Sequence, residues 1–327
     1  MMTKLGFAAI SLLMATAAHA DTQELTVSML LPGNIADHGF MEAGYNGLLQ
    51  IQKDFEAKIS YVDGIEPKPE LLTAALRRMA ADHPDLIIAH GGQNNKATEQ
   101  VASEFPDIQF VVVQGNVTGP NLSSYEVLQE ESAWLAGAAA GLLTQTDVVG
   151  HISGIRVTPG LKGRGGFYNG LMHTNPNAKF LTIFAGNQDD NQLSARVAQA
   201  EMDQGADYIF TMLNAGRQGA TDAMRAKGAK QFGNVIDWTK VDPGVFAGSA
   251  IADVSIPSVE AVRDFTSGAW KPGIVKAIGL ENPKAVSLVL GADVPADVKA
   301  RIDDLRQQIV ADQIDVSTEY EGPEMPL

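Results

Sequence analysis

Asp85-Leu86-Ile87-Ile88-Ala89-His90-Gly91-Gly92-Gln93-Asn94 is a short apolar run that ends in a polar, paired-glycine turn, with helical periodicity following from Asn94 to Glu104. An unbroken apolar run of this length suits a strand buried on both faces, as in a parallel sheet covered by helices. Working outward, the same unit recurs on both sides. Strands are predicted at Leu25 to Leu31, Ile59 to Val62, Gln109 to Val113, Val148 to Ser153, Lys179 to Ala185, Tyr208 to Met212, Gly233 to Ile236 and Val286 to Leu290. Helices are predicted near Phe40 to Glu56, Pro69 to Ala81, Glu130 to Thr144, Gly160 to His173, Gln192 to Gln204, Gly219 to Lys227, Ser255 to Thr266 and Pro295 to Ala311. Alternation of this kind defines an α/β protein with doubly wound parallel sheets.

The pattern divides in two. Four strand-helix units precede the segment Val117 to Tyr125, where Thr-Gly-Pro-Asn punctuates the chain, and four follow it. About 300 residues exceed what one hydrophobic core organises, so two lobes joined by a hinge are expected. The first lobe is drawn as 21–123 plus about 252–279, the second as 124–251 plus about 280–327. Phe246 to Ser249 and the Trp270-Lys271-Pro272-Gly273 turn are candidates for later crossings between them.

The amino terminus has one positive charge at Lys4, an apolar stretch from Leu5 to Ala17, and Ala18-His19-Ala20 ahead of Asp21. That is the n-region, h-region and small-residue cleavage pattern of a secretory leader over 1–20, and the run is shorter than the about 20 apolar residues of a membrane span. A periplasmic protein is expected. With no cysteine in the chain, a disulfide framework, a thiolate metal site, a cysteine nucleophile and a lipid-modified amino terminus are all excluded. The net charge of −15 repels phosphate backbones and anionic lipid surfaces, so no nucleic-acid partner is expected.

In a doubly wound sheet, ligands bind beyond the carboxyl ends of the strands. The residues just after each predicted strand therefore nominate a site: Asn34, Asp37 and Phe40; His90; Gln114; Asn187; Asn214; and Asp237 with Trp238. Carboxamides and carboxylates hydrogen-bond a polar ligand, and an aromatic offers a face to a flat one. Each also has a plainer reading. Phe40 could be helix core, Asp237 a turn cap, Trp238 packing between lobes, and Asn214 and Arg217 a helix cap and an exposed charge.

Several ordered segments carry a family resemblance. Asp37-His38-Gly39-Phe40-Met41 with Gly44-Tyr45-Asn46-Gly47-Leu48, Asp85 to Gly91, Glu131-Ser132-Ala133-Trp134-Leu135-Ala136-Gly137, Val149 to Gly154 through Gly165-Gly166-Phe167, Gln204 to Asp207, and Trp270 to Gly273 resemble the basic-membrane-protein family of substrate-binding proteins. The resemblance implies a type I periplasmic binding protein fold, with two lobes joined by three crossings. It also implies a small-molecule ligand, purine nucleosides in several members, and an ABC permease as partner. It places Phe40 as an aromatic that stacks on a base, Asp37 as a polar contact and Asp237 as a contact to a sugar. Gln114 and Ala252 depart from the family, standing where nucleoside binders carry an aspartate and a lysine.

Enzyme motifs are missing. The chain has no G-x-x-x-x-G-K-[ST] phosphate loop, no G-x-G-x-x-G after the first strand and no G-x-S-x-G elbow. Gly160 to Gly166 is glycine-rich and basic but wrongly ordered for a phosphate grip, and reads as a helix amino terminus. His38, His83, His90, His151 and His173 lack metal-site spacing. His90 is the best candidate for a catalytic histidine assembled in space, against a polar lining residue or a satisfied turn. The expectation is a non-enzymatic periplasmic receptor of an ABC importer for a purine nucleoside, nucleobase or similar heterocycle, with no cofactor and no metal. A secreted α/β enzyme acting on nucleosides and the ligand-binding module of a periplasmic sensor are the alternatives.

Overall fold

A computed structural model describes residues 24–326, His38 excepted. The expected leader over 1–20 lies outside the described residues. Two six-stranded sheets carry the molecule. In the first, β1 (Thr26–Leu31), β2 (Lys58–Asp63), β3 (Leu86–His90), β4 (Gln109–Val113), β5 (Leu122–Val127) and β11 (Val275–Ile278) run in the order β2-β1-β3-β4-β5-β11, every pair parallel. In the second, β6 (Val148–Ser153), β7 (Lys179–Phe184), β8 (Tyr208–Met212), β9 (Lys230–Val235), β10 (Phe246–Ala252) and β12 (Val286–Leu290) run β7-β6-β8-β9-β10-β12, with only β12 antiparallel. Each sheet reverses its order beside its first strand, the doubly wound arrangement.

Helices cover both faces of both sheets. On the first sheet, α1 (Phe40–Phe55) and α8 (Ile256–Ser267) pack on one side, with Leu48, Ile51, Val259 and Val262 in the core. On the other, α2 (Pro69–Ala81) and α3 (Asn95–Glu104) bury Leu72, Leu76 and Val101. The second sheet is covered by α4 (Gln129–Leu143), α5 (Thr158–Thr174) and α9 (Ala296–Val310) on one face, and by α6 (Asn191–Asp203) and α7 (Arg217–Lys227) on the other. Local chemistry sets several boundaries. Pro69 begins α2, Asp190 caps α6 by accepting from the Gln192 and Leu193 amides at 2.9 Å, and Gly228 and Gly268 end α7 and α8 in the left-handed conformation.

Three strands escaped the sequence reading, and they move the crossings. Leu122–Val127 pairs with β4, so the chain leaves the first sheet after Val127 rather than at 123/124. This strand holds Ser123 and Ser124 fully buried, with their hydroxyls donating to the Lys271 and Val117 carbonyls at 2.8 and 2.7 Å. Phe246 to Ser249 lies inside β10 and Trp270 to Gly273 is the turn before β11, so neither is a crossing. The second and third passages run from β10 through Asp253–Ser255 into α8, and from β11 through 279–285 into β12.

The glycine run 160–166 lies in the first half of α5. A Cβ at Gly166 would collide with the Glu130 carbonyl, one at Gly170 with that of Trp134, and one at Gly137 of α4 with that of Phe167. These glycines let α4 and α5 approach backbone to backbone; they do not cradle phosphate.

Candidate functional site

The site forms where the two sheets present the carboxyl ends of their strands to each other. A cleft of about 630 Å³ is lined from the first lobe by Asp37, Gly39, Phe40, Glu42, Ala43 and Asn46. The second lobe contributes the chain after β8 (Leu213, Asn214, Arg217, Thr221) and after β9 (Asn234, Ile236, Trp238, Phe246). This volume lies within the range of small-molecule sites. Phe40 and Ala43 also touch the core cluster of the second lobe, so α1 bridges the cleft floor.

Four of the nine nominated residues line the cleft: Asp37, Phe40, Asn214 and Trp238. Asp37 shapes the entry of α1. Its carboxylate accepts from the amides of Gly39 (2.8 Å), Met41 (3.1 Å) and Glu42 (3.1 Å), so the helix end absorbs its charge. Phe40 is half-buried, its ring tilted by 34° against that of His90 with centroids 4.2 Å apart. Asn214 comes within van der Waals reach of Gly39 across the cleft; a Cβ on that glycine would sit 3.5 Å from its Oδ1.

The other five serve the framework. His90 is completely buried beneath Phe40, its Nε2 donating to the Phe40 carbonyl at 2.9 Å. Gly44 makes room for it, since a Cβ there would lie 2.7 Å from the imidazole. Burial pushes the His90 pKa down to about 4, so the ring is neutral, and its Nδ1 has no partner. Gln114 ties β4 to β5, its Oε1 accepting from the Val127 amide at 2.6 Å. Asn34 and Asn187 each close an exposed turn by accepting from the amide two residues on, at 2.9 and 2.8 Å. Asp237 takes the plainer role of turn cap, accepting from the Thr239 amide and hydroxyl at 3.1 and 2.5 Å and pairing with Lys240 at 3.1 Å. Ala252 is buried at the end of β10 and does not line the cleft.

Trp238 is already stacked. Arg217 lies over its ring at 4.2 Å, and Phe246 stacks with it at 5.6 Å and 25°. Its Nε1 donates to the Asn234 carbonyl at 2.9 Å. Val235, with φ of 71°, holds a left-handed conformation rarely taken by a β-branched residue, where the chain turns into the cleft beside Asn234.

Arg217 was left open by the sequence between a ligand contact and an exposed charge. It is 5% exposed rather than a surface charge, and it begins α7. Its Nη2 donates to the Leu213 carbonyl and, at 2.5 Å, to Asn234 Oδ1. Its Nε is buried without a partner, and desolvation brings its pKa down to about 9. One signal was available: a cation at the amino end of a helix opposes the macrodipole, so a further reason is needed for it to sit there.

Fold and cleft together define a two-lobed α/β binding protein that encloses a small molecule at the facing switch points of its sheets. The family model for PnrA-like ABC transporter substrate-binding proteins, Bmp, matches residues 24–319, and the chain belongs to this family. The chain is therefore of a solute-binding class whose members take a small-molecule ligand and work with an ABC permease. It is similar to the transcriptional activator protein Med of Bacillus subtilis, at 22% identity over 76% of this chain and 77% of that one. It is also similar to a purine-binding protein of Brucella abortus, at 23% identity over 78% of this chain and 72% of that one. Among solved structures, an ABC transporter solute-binding protein from Aeropyrum pernix superposes with a TM-score of 0.75 at 17% identity, covering 91% of this chain and 94% of the other.

Proposed function

We propose that the protein is a periplasmic receptor, exported by cleavage of the 1–20 leader, that closes its lobes on a purine nucleobase or nucleoside and delivers it unchanged to an ABC permease. The observation that carries this reading is the cleft itself, where Phe40 of one lobe and the Arg217–Trp238 stack of the other line a single space of about 630 Å³. A flat heterocycle gains from an aromatic wall and from polar groups at its edge, and Asn214, Asn46 and Asn234 supply such groups. The purine-binding relative supports the ligand class.

A thermal-shift screen of nucleobases, nucleosides, sugars and amino acids tests the proposal. Only a compound that binds the folded state raises the melting temperature, by mass action. The expected outcome is a clear upward shift with at least one purine and none with sugars or amino acids. A shift confined to sugars or amino acids would remove the purine assignment.

A further inference from the structure

Arg217 is the only lysine or arginine lining the cleft among the described residues. The cleft's carboxylates are otherwise engaged: Asp37 with the first turn of α1, and Asp242 in an ion pair with Arg225. Glu42 also has a partner of its own. Among the described residues no ion pair reaches Arg217. Its Nη2 is spent on Leu213 and Asn234, its Nε is buried and unpaired, and its Nη1 makes no hydrogen bond. A guanidinium presents donors only, in one plane, and each buried donor left without an acceptor carries an unrecovered desolvation cost. An acceptor brought by the ligand recovers it.

We infer that Arg217 reads an acceptor edge on the ligand, so that the cleft selects 6-oxopurines, as free bases or nucleosides, over 6-aminopurines. This rests on the purine reading above and adds the choice among purines. The O6 and N7 atoms of a 6-oxopurine are adjacent in-plane acceptors, the partner arginine takes in guanine recognition. A 6-aminopurine turns an N–H donor toward the same guanidinium, and two donors facing each other in a desolvated cleft leave both unpaired. Stacking on Phe40 does not distinguish the two, so the discrimination falls to Arg217.

The test is calorimetric titration of the wild-type protein with hypoxanthine and adenine, and with inosine and adenosine, followed by the same titrations of Arg217→Met, which keeps an apolar stem over Trp238 and removes every donor. The oxo compounds should bind the wild type about tenfold or more tightly than their amino counterparts, and the ratio should shrink toward one in the variant. Equal affinity for the two classes in the wild type overturns the inference even if the variant fails to fold, as does a preference that survives in a folded Arg217→Met. Binding of a carboxylate solute such as succinate in place of any purine would refute the purine reading itself, a failure distinguishable from loss of the oxo preference.

Discussion

Phe40 is the first lobe's main apolar contribution to the cleft, and its backbone does a second job by accepting from His90. A base stacked on an aromatic ring gains roughly 1–3 kcal/mol. Phe40→Ala should therefore weaken purine binding by about 10- to 100-fold while Phe40→Leu, which keeps apolar bulk over His90, retains the fold. Isothermal titration of both variants checks this, and unchanged affinity in Phe40→Ala would remove the stacking role. At this scale the site was half legible. Position after a strand was enough to find Phe40, Asp37, Asn214 and Trp238, because a doubly wound sheet always delivers those loops to the cleft. Asp237, nominated on the same ground, lies outside the cleft lining with its short side chain satisfied within its own turn, and Arg217, left open between a ligand contact and an exposed charge, is buried. Burial of Arg217 comes from Trp238 lying against it, a contact between loops after different strands that no local pattern encodes.

Elements with a strong apolar run were legible nearly to the residue, as in Gln109–Val113, Val148–Ser153 and Tyr208–Met212. The strands that were missed lack that run. β5 is half polar and satisfied by side-chain hydrogen bonds, β10 is mostly Gly, Ala and Ser between Phe246 and Ile251, and β11 is a four-residue edge strand. Buried histidines within strands carry a pH consequence. His90 ends β3 with its pKa lowered to about 4, and His151 in β6 is lowered to about 3, bonded to Thr182 and Ser153 hydroxyls at 2.8 and 3.0 Å. Each is neutral when folded, whereas the unfolded chain takes up a proton near pH 6.5. The stability from a depressed pKa is full above the unfolded value and is lost as pH falls toward the folded one. Buried Glu201, raised well above its ordinary value, has the opposite sign, so net slopes conflate the groups. A comparison isolates His90: a Gln side chain can still donate to the Phe40 carbonyl but does not titrate. Between pH 6.5 and 5 the wild type should lose about 2 kcal/mol relative to His90→Gln, read from urea unfolding at the two pH values. Parallel losses in both proteins would show that His90 is not neutral in the fold.

Across the whole molecule, the three passages after Val127, after Ala252 and after Ile278 are what make one polypeptide into two facing sheets. Two parallel sheets joined in this way place two sets of strand ends opposite each other, and hinge closure around a ligand follows from that geometry. Their facing loops bring together aromatic rings, the carboxamides of Asn46, Asn214, Gln218 and Asn234, and one guanidinium whose Nε is buried without a partner. The proposal is that these groups recognise and orient a heterocycle, and binding without conversion is its central claim. The most direct measurement is a calorimetric titration with hypoxanthine, followed by chromatographic recovery of the ligand from the same cell. The account predicts saturation at one ligand per chain and quantitative return of intact purine. Saturable binding with loss of the purine, or the absence of any binding, would contradict it.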